Sequence, residues 1–168
     1  MPTAEEIRQL LGLQPLAPEG GWFAETYRST RTLPAGGPAA GAGEPRALAS
    51  AICYLVEPEA FSALHRLDAD EVFHFYLGDP VEMLQLGPGS EARVLRLGPD
   101  LAAGERPQVV VPAGVWQGTR LAAGGRWALL GTTMAPAFDP SRFELGRRAE
   151  FVALWPAHRT LIDALTRP

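Results

Sequence analysis

Phe61-Ser62-Ala63-Leu64-His65-Arg66-Leu67-Asp68-Ala69-Asp70-Glu71-Val72-Phe73-His74-Phe75-Tyr76-Leu77-Gly78-Asp79-Pro80 holds two of the chain's three histidines. It reads as two strands joined by a short polar turn. His65 and Glu71 flank that turn, so pairing of the two strands would bring an imidazole and a carboxylate to the same side of one sheet. The run Phe73, Phe75, Tyr76 marks the second strand, and Gly78, Asp79 and Pro80 end it with turn chemistry. Alternation predicts Glu71, Phe73, Phe75 and Leu77 on one face and Val72, His74 and Tyr76 on the other. His74 is therefore expected to bond within or between sheets and not to join His65.

Working outward, Gly20 to Ser29 predicts another strand, with Trp22, Ala24, Thr26 and Arg28 on one face and Phe23, Glu25, Tyr27 and Ser29 on the other. It reads as an edge strand, and Glu25, Tyr27 and Arg28 are its candidate ligand-binding residues. Further short apolar runs at 48–56, 81–86, 92–97, 109–112 and 127–132 are divided by glycine and proline turns. Strands at this spacing predict an antiparallel sandwich or barrel, and no amphipathic helices separate them as a parallel α/β fold would require. Thr3 and Glu6 have capping-box spacing ahead of Ile7, Leu10 and Leu11, which predicts a short N-terminal helix stopped by Gly12 and Pro15. Ser141 and Glu144 repeat that spacing without a long helix after it, and two short helices are expected at 147–155 and 158–166, packed on the outer face of a sheet. Residues 33–46, rich in glycine, alanine and proline, read as a flexible surface loop inside a single domain spanning 1–168.

The 168 residues, 46% hydrophobic, suffice for one core without staples. With 15 basic against 19 acidic side chains, a formal charge of -4, there is no basic field for nucleic acid or anionic lipid, and a small molecule is the expected partner. The single cysteine, Cys53, sits in an apolar run and reads as a small core hydrophobe. There is no basic-then-apolar leader and no apolar run near the ~18 residues of a membrane span, so a cytoplasmic protein is expected.

His65, Glu71 and Gly78 stand at the intervals of the first histidine, the glutamate and the closing glycine of the first cupin motif, with Leu67 in place of its second histidine. Pro112-Ala113-Gly114-Val115-Trp116-Gln117 matches the core of the second motif with glutamine in place of histidine. Together with Gly20-Gly21-Trp22-Phe23-Ala24-Glu25-Thr26-Tyr27-Arg28 and Gly131-Thr132-Thr133-Met134-Ala135-Pro136, these motifs resemble the cupin-5 subfamily over nearly the whole chain. The resemblance implies an all-β, antiparallel jelly-roll (cupin) barrel with a short N-terminal helix and a C-terminal helical extension, and a homodimer, but it does not deliver a reaction.

Three functional readings follow. A cupin metal site would retain only His65 and Glu71 here, with Gln117 offering a weak amide oxygen, so one divalent transition metal would be loosely bound. The Gly21-Trp22-Phe23-Ala24-Glu25 and Ala63-Leu64-His65 segments also resemble dTDP-4-dehydrorhamnose 3,5-epimerases, which would make His65 a general base acting on a sugar or nucleotide sugar. That family's arginine, lysine and tyrosine have no counterparts at Gly20, Glu71 and Leu130 or Gly131. The third reading is binding without chemistry, with Phe73, Phe75 and Trp116 lining a barrel mouth and His65, Glu71 and Gln117 fixing a ligand's orientation.

Overall fold

The computed structural model describes residues 2–35 and 45–167. The first helix, α1 (Ala4–Leu11), starts at the predicted capping box: Glu6 N–H donates to Thr3 Oγ1 at 3.2 Å and Thr3 N–H donates to the Glu6 carboxylate at 2.7 Å. Gly12, at φ 62°, ends it in the left-handed conformation that glycine adopts without penalty.

The strands are β1 (Gln14–Pro15), β2 (Trp22–Arg28), β3 (Thr32–Leu33), β4 (Arg46–Ala47), β5 (Ser50–Val56), β6 (Ser62–Arg66), β7 (Asp70–Gly78), β8 (Val81–Leu86), β9 (Ala92–Leu97), β10 (Gln108–Val111), β11 (Trp116–Leu121), β12 (Ala128–Ala135) and β13 (Glu144–Leu145). They form a six-stranded sheet in the order β1-β2-β5-β12-β7-β10, a five-stranded sheet in the order β13-β6-β11-β8-β9, and a small β3-β4 ribbon. The two large antiparallel sheets face one another as a jelly roll. The β3-β4 ribbon ties the two ends of the predicted 33–46 loop to each other, and residues 36–44 lie outside the described ones.

One expectation about the central segment is corrected. β6 and β7 follow each other but do not pair: β6 lies between β11 and β13, and β7 between β12 and β10. Ser62 through His65 are all buried, so β6 needs cover on both faces and sits inside the five-stranded sheet. The connecting turn, with Leu67 and Ala69 buried, bends over the barrel's end from one sheet to the other. His65 and Glu71 therefore meet across the interior instead of side by side on one sheet.

Two bulges correct the predicted faces. At Thr26 the β2 register slips against β5, which turns Tyr27 outward and brings Arg28 round to Glu25's side. At Tyr76 the β7 register slips against β12, so Leu77 pairs with Leu129 on the outer surface and is half exposed. Alternation cannot foresee a residue inserted into one strand alone.

The interior is filled from both sheets by Tyr54, Phe73, Met83, Leu97, Val111 and Leu130. Outside the six-stranded sheet, Ile7 of α1 packs with Leu13, Leu55, Trp127 and Leu129. Cys53 lies at the margin of this cluster, and burial pushes its thiol up. Outside the five-stranded sheet, α2 (Arg148–Leu154) and α3 (Arg159–Ala164) seat Phe151, Leu161, Ile162 and the following Leu165 on Leu64, Leu84 and Leu86, as expected of the C-terminal apolar stripes. The Ser141/Glu144 spacing starts no helix: Asp139 caps one 3-10 turn, Pro140–Arg142, and Glu144 enters β13. No helix among the described residues is long and apolar enough to cross a membrane.

Candidate functional site

His65 on β6 is the register partner of Gln117 on β11, and paired residues share a face, so imidazole and amide project together into the barrel. Glu71, near the start of β7, reaches the same point from the opposite sheet. Gln117 Nε2 lies 2.9 Å from His65 Nε2 and 2.7 Å from Glu71 Oε2. His65 Nδ1 is 2.8 Å from the Ala63 carbonyl, which can only accept; Nδ1 therefore donates there, and Nε2 faces the Gln117 amide. The amide thus spends both N–H bonds on His65 and Glu71. Its Oε1 is buried without a partner among the described residues.

Burial pushes the Glu71 carboxyl up to about 7, a rise that nearby Glu19 reinforces and that His65 and hydrogen bonds from Thr132 and Gln117 moderate. Glu19 is the residue that sequence reasoning missed. It sits in the turn before β2, its side chain is 13% exposed, and its Oε2 is 3.8 Å from His65 Nε2. Ser62 Oγ donates to Glu19 Oε1 at 2.7 Å, and Glu19's carbonyl accepts from Ala63 N–H at 3.0 Å. Tyr54, also missed, donates its hydroxyl to the Gly20 carbonyl at 2.8 Å, and burial together with Glu19 holds its phenol well above its ordinary range. The Gly20-Gly21 pair makes this approach possible: at φ 73° a Cβ on Gly21 would meet the Tyr54 ring at 2.6 Å. Neither Glu19 nor Tyr54 carried a sequence signal beyond lying beside the glycine pair or inside an apolar run.

Glu19 and Glu71 open onto a cleft with a cavity volume of about 90 Å³. Glu25, Ser50 and Thr132 complete its polar wall, and Phe23, Ile52, Tyr54, Leu67, Met134 and Phe138 make up most of the remainder. At the rim Arg28 clamps Glu25 at 2.7–3.1 Å and donates to the Phe138 carbonyl at 3.3 Å. No arginine or lysine is among the lining residues.

The structure brings His65, Glu71 and Gln117 together and puts Glu25 and Arg28 at the cleft's edge. His65 itself stands behind Gln117 and Glu71, 1% exposed and stacked on Phe143 at 5.0 Å. Phe73 is plain barrel core and Phe75 packs against that core. Trp116 does not face the interior: next to inward-pointing Gln117 it points out, edge-on to Phe151 at 4.9 Å with Arg66 over its ring at 4.6 Å. Tyr27 is 54% exposed on the outer surface. His74 is on the outer face too, 3.3 Å from both Gln108 Nε2 and Thr133 Oγ1.

The metal expectation rested on an amide oxygen from Gln117, but the amide turns its nitrogen, which has no lone pair to give, toward His65 and Glu71. As arranged, the three residues do not fit a metal. Among the described residues, no group of three or more histidine, cysteine, aspartate or glutamate side chains is placed to hold one.

The family model described as Cupin superfamily (DUF985) matches residues 5–146. The chain belongs to the cupin superfamily. Among solved structures, protein SO0799 from Shewanella oneidensis is 34% identical with a TM-score of 0.86, over 100% of this chain and 99% of that one. A hypothetical protein from Leishmania major is 29% identical with a TM-score of 0.87, over 99% and 100% respectively. A Bacillus subtilis oxalate decarboxylase, 14% identical with a TM-score of 0.54, covers 91% of this chain but only 37% of its own, a likeness of fold alone. No curated protein matches the sequence.

Proposed function

We propose that this cupin binds a small polar metabolite in the Glu19–Glu71 cleft and exchanges a proton with it through the Glu71 carboxyl. The observation that carries the reading is Glu71 itself: a carboxyl on the cleft wall, held near neutrality by burial and fixed by Gln117. A group that titrates near the working pH supplies both its acid and its base form, which suits proton transfer. His65 acts in this reading as the positioning residue, its Nε2 fixing the amide that fixes Glu71. Tyr54, a neutral phenol on the same wall, also carries a proton within the cleft. All 15 basic residues of the chain are arginine, so a lysine Schiff base plays no part.

The wall also bears on the sugar-nucleotide expectation. A pyrophosphate needs cationic or N–H partners, whereas this cleft offers carboxylates. Within the sugar alternative, the uncharged sugar is therefore the better match.

Isotope exchange tests the reading even while the ligand is unidentified. The protein is incubated in D2O with pooled small metabolites, and NMR follows replacement of C–H by C–D. Exchange in one component, lost in Glu71→Gln and slowed in His65→Ala, is the expected result. A component that binds the cleft but never exchanges would make this a binding module.

A further inference from the structure

We infer that the ligand carries a cationic, hydrogen-bond-donating head, a small primary ammonium on an apolar body, which lodges against Glu19 and Glu71; this rests on reading the cleft as a ligand site. Side-chain chemistry decides the head group. Glu71 is 7% exposed and Glu19 13% exposed at the side chain, and both belong to one buried cluster around His65. The guanidinium of Arg28 at the rim is already clamped by Glu25 and the Phe138 carbonyl. No arginine lines the cleft, and the basic group near the two inner carboxyls, His65, stands behind Gln117 and Glu71, off the lining.

A second observation points the same way. Gln117, 1% exposed, keeps an unpartnered Oε1. It lines the narrow gap behind Leu67 and Glu71, and both of those residues also line the cleft. A buried acceptor without a donor is destabilising. The carboxylates on the cleft wall accept, as does this amide oxygen behind the wall, and an ammonium brings three donors and no acceptor. An incoming carboxylate or phosphate would meet like charge with no cationic side chain on the lining to offset it.

The rest of the wall decides the body. Phe23, Tyr54 and Phe138 offer aromatic surface and Ile52 and Met134 aliphatic surface, which suits a hydrocarbon chain and attracts a cation over ring faces. The cavity of about 90 Å³ has room for several waters, hence for a molecule of few heavy atoms.

Three probes with one carbon skeleton test the inference: 3-methylbutylamine, 3-methylbutan-1-ol and 3-methylbutanoate, each titrated by NMR at pH 7.5 against the full chain. The amine is expected to bind about tenfold or more tighter than the alcohol, with the acid weakest. Glu19→Gln and Glu71→Gln should each weaken the amine about tenfold while changing the alcohol by about twofold or less. Both variants keep side-chain shape, and circular dichroism verifies their fold. Binding of the acid as tightly as the amine, or amine binding untouched by both variants, overturns this inference and leaves the cleft reading standing. Displacement of the amine by equimolar Zn²⁺ overturns it in favour of a metal ligand. If none of the three probes binds, this inference falls, and the cleft reading is judged by the isotope-exchange experiment alone.

Discussion

Glu71→Gln should make the protein more stable at neutral and alkaline pH. Burial raises the Glu71 carboxyl from 4.5 to about 7. Between those values the folded state holds a proton that the unfolded chain has released, so stability falls as pH rises. The group's contribution is complete below about pH 4.5, declines through the interval, and is lost above about pH 7. At ~1.4 kcal/mol for each tenfold change, the loss is about 3 kcal/mol. Glutamine fills the same space and its amide oxygen still accepts from Gln117, but it never ionises. Urea denaturation at half-unit steps from pH 4 to pH 8.5 measures both proteins, and the quantity of interest is the variant's stability minus the parent's. That difference should climb by about 3 kcal/mol between pH 4.5 and pH 7 and then level off. Parallel profiles, or a difference that falls with pH, would refute the reasoning and show that Glu71 ionises in the fold as readily as in solution. A stabilising change at the residue proposed to move the proton would be the familiar trade between stability and function.

Gly21→Ala forces a Cβ into the Tyr54 ring at φ 73°, and chemical denaturation should show a loss of about 2 kcal/mol or more. Phe151→Ala removes a side chain 2% exposed between α2 and the five-stranded sheet; it should lose about 3–5 kcal/mol by the same assay, with cleft binding unchanged. Beyond the two β2 residues paired with β1, the remainder of that strand's outer edge has no partner among the described residues, and a twofold dimer is the expected cover. Sedimentation at micromolar concentration should give twice the 18.0 kDa chain mass, and a monomer alone would refute it.

The barrel was legible because its strands announce themselves: short apolar runs between glycine and proline turns, a capping box at Thr3, apolar stripes at the C-terminal end. His65, Glu71 and Gln117 were legible as a set through motif spacing. What the sequence concealed is three-dimensional. Whether two consecutive strands pair or cross between sheets depends on what covers each face, and only the packed β6, buried on both sides, decides it. Trp116 looked like a rim aromatic because it follows the Pro112-Ala113-Gly114 turn; its neighbour Gln117 faces inward, and alternation then obliges Trp116 to face the helices. Glu19 and Tyr54 join the site through long-range contacts, with Ser62, Ala63 and Gly20, that no local pattern encodes.

The end of the chain has a practical bearing on every experiment above. Arg167 donates to the Glu19 carbonyl at 3.1 Å and stacks its guanidinium on Phe61, and Leu64 N–H donates to the Leu165 carbonyl at 2.7 Å. The final turn is thus fastened to the backbone that carries both Glu19 and His65. A purification handle or reporter fused there would pull on those fastenings and report on a distorted cleft. The same handle placed ahead of Thr3 would hang from the far side of the six-stranded sheet, where α1 shields the interior.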